Sequence, residues 1–493
     1  MKIAQVGTFD LDNLGDLLFP WMTEKLIHLV CGSRSTMEVC FYSPTRPVAY
    51  LYPDQVPYAP ISQLDHDDAI APFDFILIGG GDLIRNDDDS LYQVYGENSP
   101  ELTFTQILSP TQTNGRRLIL LAVGLPYDVD DVFSVFLTNS FSRVATAGLR
   151  DVRSAKLLEE YTGINYVIVP DFVHSLPYVL DKTACESMVS DVLAGYDSGY
   201  LCFQGHVDVC ASVEDTASVL KEIEGVLDKP FVLIEIGGCL GDTEYLRELA
   251  TVTGYPFISR VTYPGITLEQ KISVLACSSG FIGSSLHGNI ISNAYGINNV
   301  SYVGKYSHKI NEYFSESGHG VLFDDFSVLK NQIHTVLGEL TRCASDKIVL
   351  TELKHKKIML FLEELLQNNG KELSSFSIEV DRLYKAAHGK SCVRESIVRE
   401  QLDSQKAQLR AEKANAAEQI NYRDQLIKDL ETLLAAEKKN AAEQISYRDL
   451  LIKELEALLV VEKHNAISKM LYRDELIRAM EEKLLLSEQA GKK

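Results

Sequence analysis

Long apolar runs are missing from this chain. None reaches the ~18 consecutive residues that a bilayer-spanning helix needs, and no apolar segment follows a basic stretch near the amino terminus. The expectation is a cytoplasmic protein without a transmembrane segment. Paired cysteine motifs are missing too. The nine cysteines at 31, 40, 185, 202, 210, 239, 277, 343 and 392 form no CxxC, and several sit inside apolar runs. That is the usage of reduced, buried thiols; it argues against a disulfide framework or a zinc site, and no metal site is expected. Basic residues are scarce: Lys and Arg number 47 against 69 Asp and Glu, a formal net charge of −22. From residue 390 onward the signs balance at 19 each, so residues 1–389 hold 28 basic and 50 acidic side chains. Such a body repels nucleic acid and anionic membrane, so neither is an expected partner. An anionic substrate would need local cations that overcome this field.

What is present is a chain of 493 residues, long enough for two or three structural units. Residues 1–175 alternate strand-like runs, KIAQVG (2–7), FDFILIGG (73–80), RLILLAVG (117–124) and YVIVPD (166–171), with helix-like stretches at 17–30 and 151–163. A second alternating block follows from about 195 to 345, with YLCFQG, FVLIEIGG, FISRV, GFIGSS and NVSYVG as short buried strands. Near-continuous apolar strands separated by helices indicate parallel sheets covered on both faces. The expected fold class is α/β: two Rossmann-like domains, 1–180 and 181–389, facing one another across a cleft, with closing helices at the end of the second.

Residues 390–490 contain neither proline nor glycine and carry a 25-residue repeat beginning at 411, 436 and 461. Apolar residues recur at Ile420, Ile427, Leu430 and Leu434, then at Ile445, Ile452, Leu455 and Leu459, then at Met470, Ile477, Met480 and Leu484. Steps of 7, 3 and 4 make a coiled-coil seam. The repeat winds at about 3.57 residues per turn, giving a nearly straight rod roughly 110 Å long. A solitary helix would expose its seam, so a homo-oligomer through residues 411–485 is expected. Arg423, Arg448 and Arg473 recur beside the seam, either setting register or serving as solvated flank charges.

Four loops carry candidate chemistry. The segment Gly283-Ser284-Ser285-Leu286-His287-Gly288-Asn289-Ile290 places an imidazole where a strand turns into a helix. Open α/β sheets bind ligands at such turns, and histidine titrates near neutrality. The alternative is a structural histidine with glycines that only serve the turn. Apolar helix-like runs, 271–282 and 290–297, flank it. The first loop, Gly7 to Asp16, ends in Asn13-Leu14-Gly15-Asp16, where Asn13 or Asp16 can cap the following helix. It lacks the G-x-G-x-x-G of a dinucleotide site. Gly79-Gly80-Gly81-Asp82 follows a strong strand and points to close backbone approach by a ligand. Arg150 precedes a helix, either as an anion site or as a helix-start ion pair with Asp151, and Asp171 ends the next strand. Lys305 and Lys309 flank His308 beyond a later strand, a conspicuous cation cluster in an acidic domain.

Taken in order, N-L-G-D (13–16), GGGD (79–82), A-V-G (122–124), L-R-D-x-x-S (149–154), V-P-D (169–171), S-L-H-G (285–288) and Y-x-x-K (306–309) resemble the polysaccharide pyruvyl transferase family over residues 1–345. The resemblance implies a GT-B-like arrangement and transfer of a pyruvyl group from phosphoenolpyruvate to a hydroxyl pair of a saccharide. A ketal forms, and no cofactor takes part. It implies His287 as the acid and Arg150 as the grip on the donor's phosphate or carboxylate. Asn13, Gly15, Asp16, Gly80, Gly81 and Asp82 would shape the donor site, and the amides and hydroxyls of Ser284 and Ser285 would hold an oxygen. Relatives tend to have Arg-Leu-His where this chain has Ser285-Leu286-His287, and Lys305 or Lys309 is the candidate replacement. Competing readings are a nucleotide-sugar glycosyltransferase and a noncatalytic scaffold assembled through the rod.

Overall fold

The computed structural model describes residues 1–32, 37–64, 67–85, 95, 117–126, 129, 131–141, 144–162, 166–196, 199–303, 308–317, 320–342 and 345–367, and in the C-terminal stretch 428, 439, 446, 448–465, 468–471 and 473. The chain divides into two compact units, Met1–Glu379 and Val380–Lys493.

The first unit holds two parallel sheets. β1 (Lys2–Val6) leads into helix α1 (Leu14–Cys31), followed by β2 (Glu38–Ser43), β3 (Tyr58–Pro60), β4 (Phe75–Gly81), β5 (Arg117–Val123), α2 (Asp131–Phe141), β6 (Val144–Leu149), α3 (Val152–Thr162) and β7 (Val167–Ile168). The strands order as β3-β2-β1-β4-β5-β6-β7, and every pairing is parallel. α4 (Lys182–Val192) leads to the second half: β8 (Leu201–Gln204), α5 (Val213–Leu227), β9 (Phe231–Ile234), α6 (Asp242–Thr253), β10 (Phe257–Ile258), α7 (Leu268–Ala276), β11 (Gly280–Gly283), α8 (Leu286–Ala294), β12 (Asn299–Tyr302), α9 (His308–Ser317), β13 (Val321–Phe323), α10 (Ile333–Leu340) and α11 (Ser345–Gln367). Its order is β10-β9-β8-β11-β12-β13, again all parallel. β4, β8, β9, β11 and β12 are buried along their whole length, as strands covered on both faces must be. Each sheet reverses its winding once, between β1 and β4 and between β8 and β11.

One apolar core crosses both halves, bringing Phe19 and Leu26 of α1 together with Ile234, Ile272, Ile290 and Phe361 of α11. Two further cores back the outer faces of the sheets. Polar groups also join the halves. Leu14 N donates to Ile236 O at 2.8 Å, Cys239 N to Asp12 O at 3.0 Å, and Leu268 N to the Asp54 carboxylate at 2.8 Å. The buried Lys271 ammonium donates to Tyr52 Oη at 2.8 Å and lies 3.3 Å from Glu235 Oε2. Tyr52 Oη donates to Asp12 Oδ1 at 2.9 Å, and Arg260 Nε to Asp12 Oδ2 at 3.3 Å.

The expected strands appear, with local corrections. The run 271–282 is not one helix: α7 ends at Ala276, where Ser278 Oγ donates back to Leu275 O at 2.8 Å, and β11 begins at Gly280. α8 starts at Leu286, so His287 lies in its first turn rather than before it. FISRV is a strand only over Phe257–Ile258, because Arg260 turns away toward Asp12. β2, β3, β6 and β13 escape a reading by apolar runs, since they are short or built from small and polar residues. No described helix is long and apolar enough to cross a membrane.

In the second unit, residues 448–465 and 468–471 are helical and exposed, including the seam positions Ile452, Leu455, Leu459 and Met470. Most of the expected coiled coil, with Arg423, lies outside the described residues.

Candidate active site

Each sheet turns a loop toward the other half from its point of reversed winding, where the carboxyl ends of parallel strands leave a crevice. From the first half comes the turn after β1, where Asn13 Oδ1 accepts from Gly15 N at 3.2 Å and caps α1. From the second comes the turn after β11, where Ser285 Oγ accepts from Gly288 N at 3.2 Å and caps α8. The two turns touch. A Cβ added at Gly15 would lie 1.9 Å from His287 Nδ1, so only glycine lets the imidazole sit against α1.

A chain of charges runs outward from that contact. His287 Nε2 lies 3.5 Å from Asp171 Oδ2, a charge contact longer than a hydrogen bond. Arg150 Nη1 lies 3.8 Å from the same Asp171 oxygen, while its Nη2 is hydrogen-bonded to Asp82 Oδ1. Lys309 Nζ lies 3.7 Å from Asp82 Oδ2. Asp171 also accepts from Val173 N at 3.0 Å, which fixes its carboxylate at the turn after β7. Burial alone would raise the Asp171 pKa, but contact with His287 and the Arg150 charge outweigh it and hold it at about 2. At Asp82, too, burial is overcome by Arg150 and Lys309, and the pKa is lowered. Asp16 behaves oppositely: burial pushes it up to about 6, although His287, Lys309 and Arg150 pull down. One carboxylate is thus firmly ionised and another is poised to exchange a proton near neutral pH.

His287, Arg150, Gly15, Asp16, Asp82 and Lys309 are brought together, from five separate loops. Asn13 is used as a cap, and its backbone bridges to Gly237. Gly80 and Gly81 remain in β4 with φ of 105° and 93°; they admit the Phe19 ring and the Asp16 carboxylate, so their close approach is to α1. The amides of Ser284 and Ser285, expected to face a ligand oxygen, instead donate to Gln204 Oε1 at 3.0 and 2.9 Å. Arg150 pairs with Asp82 and Asp171, whereas the Asp151 carboxylate accepts from Ser154 N at 2.7 Å. Lys305 lies outside the described residues.

Beside Asp171 and Arg150 opens a cleft of about 270 Å³. α11 contributes Lys354 and Lys357 to its lining, together with His174 and Tyr313. None of these four stood out in the sequence, since no local motif surrounds them. Among the described residues, three buried atoms around this region make no hydrogen bond: Asp171 Oδ2, His174 Nδ1 and His287 Nε2, the first and last lying in the 3.5 Å charge contact given above. A polar ligand entering the cleft would complete them.

A family model described as polysaccharide pyruvyl transferase matches residues 13–304, more than half of the chain and every loop of the charge chain except Lys309. No curated protein sequence matches. Among solved structures the chain is similar to UDP-GlcNAc 2-epimerase from Neisseria meningitidis, with 11% identity over 74% of this chain and 100% of that one, at a TM-score of 0.47. It is similar also to the N-terminal domain of Candida albicans trehalose-6-phosphate phosphatase, with 10% identity over 75% and 98% of the two chains and a TM-score of 0.43. A third is E. coli ADP-heptose lps heptosyltransferase II, with 12% identity over 71% and 100% and a TM-score of 0.38.

Proposed function

The chain belongs to the polysaccharide pyruvyl transferase family and is a transferase, and on that premise we propose that it moves a pyruvyl group from phosphoenolpyruvate to two hydroxyls of a saccharide destined for a surface polysaccharide. The observation that carries the reading is the contact between His287 Nε2 and Asp171, itself beside Arg150, inside the matched stretch. The Asp171 carboxylate lies 3.5 Å from the imidazole, and in this reading the protonated ring donates the proton. In the reaction, the imidazolium protonates the methylene carbon of the enol, and the carbon bearing the phosphate oxygen becomes electron-poor. One sugar hydroxyl adds there and loses its proton; phosphate leaves with the C–O bonding pair. The second hydroxyl then closes the cyclic ketal, its proton passing to the departed phosphate. The products are the pyruvyl ketal and inorganic phosphate, with no redox change. Asp16, titrating near 6, takes a hydroxyl proton in this reading. Arg150, held by Asp82 and Asp171, presents a fixed positive field to the donor.

The test is incubation of the full chain with phosphoenolpyruvate and a panel of glycosides, measuring phosphate release together with an acid-labile pyruvyl adduct. His287→Ala is expected to lower turnover by about 10²–10⁴-fold. Absence of turnover by the unaltered chain across the panel, or full turnover by His287→Ala, sinks the assignment.

A further inference from the structure

Behind the turn that carries His287 lies a pair of buried polar side chains that no step of the reaction above uses. Gln204 closes β8, in register with Gly283 of β11, where the second sheet reverses its winding. Asp242 opens α6. They are 2% and 1% exposed, and Gln204 Nε2 donates to both Asp242 oxygens at 3.1 Å. Gln204 Oε1 accepts from Ser284 N at 3.0 Å and from Ser285 N at 2.9 Å. The two ends of the amide cannot trade places, because backbone N–H groups only donate and a carboxylate only accepts. Asp242 Oδ2 accepts further from Ile236 N at 3.0 Å and Gly237 N at 2.8 Å. That turn holds the start of α1: Ile236 O accepts from Leu14 N at 2.8 Å, and Gly237 pairs antiparallel with Asn13. The contacts close a ring. It runs from His287 through Ser285 and Gln204 to Asp242, then through Gly237 to Asn13, and returns from Gly15 to the imidazole.

We propose that Gln204 and Asp242 are positioning residues, which jointly set the turn bearing His287 against the turn that starts α1. The inference rests on the reading of His287 given above and adds what holds the imidazole in place. An amide and a carboxylate are costly to bury unless satisfied, and a satisfied network fixes one geometry. An apolar side chain at either position would leave two backbone amides without an acceptor. The turn is also closed tightly on the pair: a Cβ added at Gly283 would stand 3.0 Å from Gln204 Oε1. A reacting group must be held within about 0.5 Å of its productive place, and a misplacement of about 1 Å costs about a hundredfold in rate. Neither side chain meets the substrate in this scheme; each acts through the imidazole.

Asp242→Asn keeps the volume and breaks the pairing, since two amides between two sets of backbone donors must set one N–H against another. Adding Gln204→Glu restores a carboxylate–amide pair in reversed order. Transfer kinetics, crystal structures and melting transitions of the full chain and of these variants form the test. Asp242→Asn should lower kcat by about a hundredfold, with the KM for phosphoenolpyruvate within about twofold, and the reversed pair should recover to within about threefold of the unaltered chain. In the His287→Ala background Asp242→Asn should cost less than about threefold, because residues that act as a unit are not additive. Crystals of Asp242→Asn should show the imidazole displaced from Gly15 and Asp171, and those of the reversed pair should show it returned. Should Asp242→Asn not fold, Gln204→Met repeats each comparison from the other end of the pair. An unmoved imidazole in the folded variant overturns the proposal, as does an equal loss in the His287→Ala background. An imidazole that moves and returns, in a chain that never transfers pyruvyl, upholds the positioning role and sinks the transfer reaction. Pyruvyl transfer at full kcat in Asp242→Asn does the reverse.

Discussion

Two clusters of buried charge tie the halves of the first unit together, and they differ in completeness. In the clasp, Lys271 meets Tyr52 and Glu235, Tyr52 meets Asp12, and Glu235 Oε1 accepts from Thr243, so each buried polar atom has a partner. Around the cleft, Asp171 Oδ2, His174 Nδ1 and His287 Nε2 make no hydrogen bond among the described residues, Asp171 and His287 meeting only in the longer 3.5 Å charge contact. A complete polar network rigidifies; an incomplete one holds free energy in reserve for whatever completes it. The same residue types thus form a closed network in one place and leave open positions in the other.

Breaking the clasp should have the largest effect. Lys271→Met strands Glu235 and is expected to lower unfolding stability by about 3–5 kcal/mol, read from denaturant midpoints. Lys271→Met with Glu235→Gln should recover part of that loss. A single variant as stable as the parent would mean that the clasp contributes nothing. Next comes Asp171→Asn, which keeps the cap on Val173 but removes the charge facing His287. Turnover should fall by about a hundredfold. Because the Asp171 pKa is depressed to about 2, its stabilisation is present above the ordinary carboxylate range and is lost as pH falls through about 2. If Asp171→Asn turned over normally, the distinction between the clusters would collapse.

The smallest effect runs the other way. Asp16 has its pKa raised from 3.8 to about 6, so the folded chain binds the proton more tightly than the unfolded one. Stability therefore falls as pH rises from about 4 to about 6, and the penalty is complete at neutrality. Asp16→Asn should gain about 2 kcal/mol at pH 7, after a discount for partial exposure, and flatten that pH dependence. A loss of stability at pH 7 would show that the carboxylate is held by its cations rather than strained by burial.

The legible and illegible parts of this molecule divide along similar lines. Apolar runs such as FILIGG and GFIG announced buried parallel strands, and glycine or small residues at strand ends announced the loops that carry His287, Asp82 and Arg150. Those signals are local. β6, VATAGL, gave no such signal because its small residues owe their place to neighbours on either side. Lys354 was invisible for a stronger reason: it meets His174 across 180 positions of sequence, and an amphipathic helix does not reveal which surface it will cover. The two readings of Arg150 and the one reading of the Ser284 and Ser285 amides turned on partners, Asp82 and Gln204, that only the tertiary fold supplies.

The long helix α11 packs on the 172–175 turn and on α1 as well as on α8. The end of this unit is therefore stitched back to its beginning: α11 lies against α1 of the first half and α8 of the second, and Lys354 reaches His174 from it at 3.0 Å. Like the last thread of a seam, it holds both edges at once.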